Sequence, residues 1–204
     1  MRNMKIEFQG DKIYLDRELS RLDRMAIHFS EKLRDAGIEH VFVSGYVAIV
    51  FGRNRTSEDI DVICEPVSQG VFEELWLSLK EMECIITSDP ESAYNDYLKD
   101  GMALRFAYRG EFIPNMEMKV VSNGVHREAL MRRKILLLNG HPLPISDFEL
   151  QIAYKLFLGS EKDIEDARFL YHLFRDKLEP DSLMGKIKEF GLSEREAKYY
   201  LGWS

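Results

Sequence analysis

Apolar residues recur along this chain with two periods, one typical of helices and the other typical of strands. Between positions 15 and 36 they recur every three or four residues and Gly37 follows, which predicts an amphipathic helix ending at this glycine. Positions 68–82 predict a second such helix, with Phe72, Leu75 and Trp76 on one side. Short apolar or alternating runs predict strands at 38–43, 60–64, 84–87, 102–108 and 112–121.

Turn residues divide these segments and predict three antiparallel pairs of strands. One covers positions 5–15 and turns at Gln9-Gly10-Asp11, and another covers 134–145 and turns at Asn139-Gly140. The third joins 102–108 to 112–121 through Arg109-Gly110. The segment 46–51 is predicted as a short helix that stops at Gly52, and 91–99 as another that Pro90 starts.

The pattern becomes helical after position 145. Ser146 and Glu149 have the spacing of a capping box that opens a helix to Leu158, and Gly159 follows it. Further helices are predicted at 164–174, at 182–190 and after Ser193. The predicted fold class is therefore α/β (α+β), with a mixed twisted sheet and flanking helices over residues 1–145. A C-terminal helical bundle over 146–204 is expected to pack on it.

Composition places the chain among globular proteins of the cytoplasm. It has 204 residues, of which 45% are hydrophobic and 31% charged, and no apolar run long enough to span a membrane. The N-terminus has no apolar segment typical of a signal peptide. Only two cysteines occur, Cys64 and Cys84, which fits a reducing compartment and predicts buried thiols. The net charge of −7 argues against non-specific coating of nucleic acid.

The segment from position 44 to 61 holds the strongest candidate chemistry. Asp59 and Asp61 flank Ile60 in a predicted strand, so both carboxylates point to the same face. Two such groups repel each other unless a cation lies between them, and oxygen ligands favour Mg²⁺ or Mn²⁺. The Ser44-Gly45 turn precedes a predicted helix, where backbone N–H groups suit a phosphate. Together these features indicate metal-assisted chemistry on a nucleoside triphosphate.

A third carboxylate is expected on a neighbouring strand, and Glu117 is the candidate. In the segment 115–120 the apolar side chains alternate with Glu117 and Lys119, which share the opposite face. Two metal ions in such a site need about three carboxylates. Lys119 is expected to neutralise phosphate charge. The alternative for both residues is an ordinary solvated face of an edge strand.

The segment resembles the signature of the polymerase-β-like nucleotidyltransferases, which have a Gly-Gly or Gly-Ser turn, a short helix and Asp-x-Asp on a strand. Its fuller string, SGYVA followed by FGRNRTSEDIDV, is similar to the small prokaryotic branch that holds the AbiEii-type toxin nucleotidyltransferases. The matching residues are Gly45, Tyr46, Gly52, Arg55, Asp59 and Asp61. Ser44 stands where the first glycine is usual, and Phe51 where histidine is common.

The resemblance extends loosely into the C-terminal part. AbiEii-type proteins place a lysine in a helix after the strands, followed by an acidic segment at the next helix, and Lys155 with 162–166 matches this order. The resemblance implies nucleotide contacts for Ser44, Gly45, Arg55, Lys119 and Lys155. Two alternatives apply to the acidic residues, because Asp163 is also placed to cap a helix and Asp166 to pair with Lys162.

The resemblance also implies an activity. Mg²⁺ (or Mn²⁺) held by Asp59, Asp61 and Glu117 is expected to bind a nucleoside triphosphate. The nucleoside monophosphate then moves to an acceptor hydroxyl on RNA, such as a tRNA 3′ end, or on a protein. A toxin–antitoxin or phage-defence setting, with an antitoxin partner, follows from the same branch. Two alternatives stay open, a catalytically degenerate binding or antitoxin-like module and a small-molecule (antibiotic) nucleotidyltransferase.

Overall fold

The computed structural model describes residues 5–202. Contacts within it divide the chain into two compact units. The sheet unit consists of the chain up to Val43 together with Thr56–Ile145, and the helical unit consists of Ser44–Arg55 together with the chain from Ser146 onward. The segment with the predicted phosphate turn thus belongs with the C-terminal helices. The predicted division into a catalytic region 1–145 and a helical region 146–204 stays a prediction.

One mixed sheet of nine strands forms the sheet unit within the described residues. The strands are β1 (Lys5–Gln9), β2 (Lys12–Asp16), β3 (His40–Phe42), β4 (Asp59–Cys64), β5 (Met82–Cys84), β6 (Leu104–Tyr108), β7 (Asn115–Val120), β8 (Lys134–Leu138) and β9 (His141–Ile145). Their spatial order is β1-β2-β8-β9-β3-β4-β7-β6-β5. The strands β4 and β7 pair in parallel, and β7 pairs antiparallel with β6. This confirms the predicted mixed α/β sheet.

Helices accompany the sheet and make up most of the second unit. Those of the sheet unit are α1 (Arg21–Asp35), α3 (Gln69–Ser78), α4 (Pro90–Ser92), which continues as a π-helix (Ala93–Leu98), and α5 (Gly124–Met131). Those of the helical unit are α2 (Gly45–Val50), α6 (Phe148–Leu158), α7 (Glu161–Phe174), α8 (Pro180–Glu189) and α9 (Glu194–Leu201). In the described part of the chain, no helix is both long and apolar enough to cross a membrane.

Several predicted boundaries move by a few residues for local reasons. The first helix begins after Ser20, which forms a capping box with Asp23, because residues 12–16 already pair as β2. Asp147, rather than Ser146, caps α6, and its Oδ1 accepts a hydrogen bond of 3.0 Å from the Leu150 amide. Ser160, rather than Asp163, caps α7. The alternative in which Asp163 is the N-cap is therefore wrong.

The structure confirms other predictions. Asn139 and Gly140 have φ values of 49° and 83° in the turn between β8 and β9, as an Asn-Gly hairpin requires. Gly37 ends the first helix with a φ of 71°. Cys64 and Cys84 are both buried, as expected of free cysteines in a packed sheet.

An aromatic cluster fills the interior of the helical unit. Phe51 follows α2 and contacts Phe174 and Phe148 edge-on, with ring centroids 4.8 and 5.6 Å away. Phe148 and Phe174 stack at 4.0 Å, and all three rings are buried. The cluster explains why phenylalanine stands at position 51, since a histidine there loses part of this apolar burial.

Candidate active site

Two aspartates lie on one face of β4. Ile60 and Val62 alternate with them and are fully buried on the opposite face, while Asp59 and Asp61 are half-buried. This burial pattern fixes the register, because a slip of one residue places both carboxylates in the core. The sheet unit thus presents Asp59 and Asp61 side by side, as the alternation in the sequence predicts.

Neighbouring strands add three charged residues to that face. Asp61 lies opposite Glu117 of β7, and Glu117 in turn lies opposite Arg105 of β6. Lys119 follows two positions after Glu117 and shares its side of the sheet. We call these five residues (Asp59, Asp61, Arg105, Glu117 and Lys119) the acidic face.

Both oxygens of the Glu117 carboxylate have cationic partners. Its Oε2 accepts hydrogen bonds of 2.9 and 2.7 Å from Nε and Nη2 of Arg105. Its Oε1 forms an ion pair with Nζ of Lys119. The same Nζ lies 3.5 Å from Oδ1 of Asp61. The Lys119 ammonium therefore lies where a cation shared by Asp61 and Glu117 is expected.

These contacts shift the ionisation of Glu117 and Lys119. Burial acts to raise the pKa of the Glu117 carboxyl, but hydrogen bonds from Lys119 and Arg105 outweigh it and hold the pKa below its ordinary value. Burial acts to lower the pKa of Lys119, but Glu117 and Asp61 outweigh it and raise the pKa. The Glu117 carboxylate and the Lys119 ammonium are therefore both charged near neutral pH.

The donor chemistry of the two aspartates fits a magnesium ion. Proteins usually bind Mg²⁺ through one or two carboxylates, with substrate phosphate and water completing the shell. Across residues 5–202, no group of three or more His, Cys, Asp or Glu side chains is arranged to hold a metal ion. Glu117 differs from the aspartates because Arg105 and Lys119 contact both its oxygens. The assignment of Asp59, Asp61 and Glu117 as metal ligands stays a prediction.

The backbone of Ser44, in the helical unit, has a conformation that favours glycine. Its φ is 61° and its ψ is −136°, a region that residues with a Cβ rarely occupy. Gln151 of α6 binds this residue twice, since its Nε2 donates to the Ser44 carbonyl at 2.7 Å and its Oε1 accepts from the Ser44 amide at 3.3 Å. Gln151 therefore holds the turn on both sides of Ser44.

Gly45 is required because a guanidinium occupies the space beside it. A Cβ at this position comes within 2.0 Å of Nη2 of Arg55. Arg55 is itself fixed by Asp166 of α7, which accepts hydrogen bonds of 3.1 Å from Nε and 2.9 Å from Nη2. A two-point contact of this kind sets both the position and the plane of the guanidinium. The turn at Gly45 and Arg55 are thus packed as one assembly.

Lys155 is buried within the same assembly. Its side chain is 1% exposed, and its Nζ donates to Asp166 at 2.9 Å and to Asp163 at 3.0 Å. Burial acts to raise the pKa of Asp163, but hydrogen bonds from Ser160 and Lys155 outweigh it and lower the pKa. We call Arg55, Lys155, Asp163 and Asp166 the buried network. The alternative partner for Asp166, Lys162, is not the one observed, because Asp166 is fully buried against Arg55 and Lys155.

Comparison with solved structures identifies the fold. Neither a protein-family model nor a curated protein sequence matches the chain. A solved structure of an antigenic nucleotidyltransferase-like protein from Paracoccidioides brasiliensis superposes with a TM-score of 0.54 and 16% sequence identity, covering 88% of this chain and 91% of that one. The chain has a nucleotidyltransferase-like fold. This confirms the fold expected from the resemblance.

Two further solved structures align less closely. The antibiotic-resistance factor ANT(2'')-Ia aligns with a TM-score of 0.48 and 12% identity, over 82% of this chain and 92% of that one. The Thermotoga maritima CCA-adding enzyme complexed with tRNA aligns with a TM-score of 0.41 and 10% identity, over 91% of this chain and 51% of that one.

The residues expected from the sequence fall into two groups, each within one of the two units. Asp59, Asp61, Glu117 and Lys119 share the acidic face of the sheet unit. Ser44, Gly45, Arg55 and Lys155 lie within the helical unit. Their roles in nucleotide binding stay predictions.

Two residues at these sites were missed in the sequence. Arg105 was detectable, because it is the polar position between Leu104 and Phe106 in an alternating strand. Gln151 gives no such signal, since its role depends on a contact with a residue 107 positions away.

Proposed function

We propose that this chain is a metal-dependent nucleotidyltransferase that moves a nucleoside monophosphate from a nucleoside triphosphate to an acceptor hydroxyl. The observation that supports this most is the pairing of Asp59 and Asp61 on β4, with Glu117 in register beside them, in a nucleotidyltransferase-like fold. In the proposed reaction the acceptor oxygen bonds to the α-phosphorus. The bond to the β-phosphate oxygen breaks, and pyrophosphate and a proton are released.

The chain's own residues have distinct tasks in this proposal. Asp59 and Asp61 supply oxygen ligands for Mg²⁺ or Mn²⁺. When bound, the metal neutralises phosphate charge and stabilises the attacking and leaving oxygens. Lys119 and Arg105 keep positive charge on the same face of the sheet, where charge develops on the phosphate oxygens.

Within the helical unit, we propose phosphate contacts for Ser44, Gly45 and Arg55. Gly45 offers its backbone amide in a turn that Gln151 holds through the amide and carbonyl of Ser44. Ser44 offers its hydroxyl, and Arg55 adds a guanidinium beside Gly45. Asp166 already neutralises the charge of Arg55 and fixes its orientation. Arg55 therefore acts on a phosphate mainly as an oriented hydrogen-bond donor. Lys155 contributes through Asp166, because its ammonium is buried with that carboxylate.

By the resemblance, the acceptor is an RNA hydroxyl, such as a tRNA 3′ end, or a protein hydroxyl. We also propose an antitoxin partner, by the same resemblance, and a cytoplasmic setting, from the two free cysteines. The experiment incubates the chain with each α-labelled nucleoside triphosphate and Mg²⁺, with total RNA, lysate protein or aminoglycosides as acceptors in separate arms. We expect label on RNA or protein with wild type and its loss with Asp61→Asn. Asp100→Asn, at an exposed carboxylate of the sheet unit, is the matched control and keeps wild-type transfer.

One observation favours a second candidate, a catalytically degenerate module that binds nucleotide without transferring it. Arg105 and Lys119 already compensate Glu117, and Lys119 approaches Asp61, so the face carries its own counter-cations. Calorimetric titration with ATP separates the two functions. The degenerate module binds ATP with the same heat whether Mg²⁺ is present or not, and Asp59→Ala leaves that heat unchanged. The enzyme needs Mg²⁺ and Asp59 for binding.

A further inference from the structure

Lys119 lies between two carboxylates that a conventional site assigns to metal. Its Nζ forms an ion pair with Oε1 of Glu117 and lies 3.5 Å from Oδ1 of Asp61. The remaining oxygen of Glu117 accepts both hydrogen bonds from Arg105. The side chain of Glu117 is only 10% exposed, so water is a poor substitute for either cation. Both oxygens of the Glu117 carboxylate thus already bind cationic side chains of the protein.

We propose that Lys119 takes the place of one of the two metal ions, so that the acidic face binds a single divalent ion through Asp59 and Asp61. In this arrangement Glu117 is a positioning residue. It holds Lys119 and Arg105 and does not bind metal. The inference rests on the proposed function, since it concerns the same site and the same substrate.

The charge balance of the face supports one ion over two. Asp59, Asp61 and Glu117 carry three negative charges, and Arg105 and Lys119 carry two positive ones. One divalent ion is therefore enough to leave the face with a net positive charge for a triphosphate. A second divalent ion beside Lys119 is opposed by electrostatic repulsion from the ammonium.

The register of the sheet supports the same assignment. Ile63 of β4 lies opposite Lys119 on β7, so this stretch of β4 supplies no carboxylate next to the lysine. The nearest acidic partners of Lys119 are then Glu117 on its own strand and Asp61 across the pair. Both contacts draw the ammonium toward the space between these two carboxylates.

The test counts bound Mn²⁺ by the paramagnetic resonance signal of the free ion, with Mn²⁺ alone as the probe. Wild type is expected to bind one ion per chain, and Asp61→Asn to weaken this binding about tenfold or more, since a direct ligand is lost. Lys119→Gln is expected to tighten binding about tenfold or more and to permit a second ion, because a repelling charge is removed and Glu117 becomes accessible.

A charge-balanced double variant, Glu117→Gln with Lys119→Gln, isolates the role of Glu117. It removes one negative and one positive charge, so the net charge of the face is unchanged. Under the proposal this variant still binds one Mn²⁺ with an affinity within about threefold of wild type, since neither group is a metal ligand. Asp100→Asn is the control for binding at unrelated surface carboxylates.

The failure of this inference and that of the proposed function give different results. Two ions bound by wild type, together with a tenfold or larger loss in the double variant, mean that Glu117 ligates metal. That result overturns the inference alone. If no variant binds Mn²⁺, or if Asp61→Asn binds it as wild type does, the metal site of the proposed function fails as well.

Discussion

The acidic face and the buried network contain almost the same groups but differ in their access to solvent. Each combines carboxylates with one arginine and one lysine. On the acidic face the side chains of Arg105 and Lys119 are 50% and 33% exposed. In the buried network Lys155 is 1% exposed and Asp166 is fully buried. Arg105 and Lys119 are open to solvent and to a ligand, whereas Lys155 and Asp166 cannot exchange partners without unfolding their surroundings.

The difference shows which charged residues are suited to chemistry and which to structure. Desolvated ion pairs are costly to form and costlier to break by removing one partner. Exposed pairs contribute little to stability, because water and salt already screen them. This difference supports the proposed binding role of the acidic face, whereas the buried network holds Arg55 at Gly45.

The largest effect is expected from breaking the buried network at Asp166. The change Asp166→Asn leaves Arg55 and Lys155 without their shared carboxylate, so the free energy of unfolding is expected to fall by about 3–5 kcal/mol. Denaturant unfolding measures it. The matched change Glu117→Gln on the acidic face is expected to cost about 1 kcal/mol, because its partners can turn to water. Equal losses at the two positions contradict the comparison.

A somewhat smaller effect is expected from filling the space beside Gly45. In Gly45→Ala the new Cβ meets Nη2 of Arg55, which is anchored by Asp166 and cannot move freely, so we expect a loss of about 1–3 kcal/mol. The control is Gly70→Ala in α3, where a Cβ meets nothing within 4 Å and helix propensity favours alanine by about 1 kcal/mol. In an Arg55→Ala background, Gly45→Ala is expected to lose most of its cost, and an unchanged cost there rules out this explanation.

A smaller difference between the two groups of charges is expected in how added salt shifts their pKa values. Folding lowers the pKa of both Glu117 and Asp163 below the values in the unfolded chain, which are near 4.5 for Glu117 and 3.8 for Asp163. Each carboxylate therefore stabilises the fold fully at a pH above its unfolded pKa. This stabilisation is lost as the pH falls through the pKa of the folded state. Added salt screens exposed partners more than buried ones. Carboxyl NMR titration is therefore expected to show salt raising the pKa of Glu117 more than that of Asp163. A larger rise at Asp163 contradicts the assignment.

The smallest effect is a gain in stability at Ser44. Glycine adopts its backbone conformation without the strain of a side chain, so Ser44→Gly is expected to raise the free energy of unfolding by about 1 kcal/mol. Asn139→Gly is the contrast, because asparagine tolerates its conformation and its side chain bonds both backbone groups of Arg17. That change is expected to lower thermal stability. If Ser44→Gly lowers the free energy of unfolding, the backbone of Ser44 is not strained.

The sequence predicts much of the acidic face and little of the buried network, for a physical reason. Alternation along a strand places Asp59 with Asp61, and it also places Glu117 with Lys119, because side-chain direction in a strand is a local property. The pairing of Arg55 with Asp166 joins residues 111 positions apart, and no local period reports it. The same limit applies to Lys155, whose burial against Asp163 and Asp166 gives no signal in the local sequence. Its expected nucleotide contact stays a prediction.

The most direct test of the central claim is anomalous diffraction from crystals of the chain soaked in Mn²⁺. The account predicts one anomalous peak at metal–oxygen distance, about 2.0–2.6 Å, from carboxylate oxygens of Asp59 and Asp61, with Lys119 still paired to Glu117. It predicts no peak at Asp163 or Asp166. A peak at the buried network, or none beside the two aspartates, contradicts it.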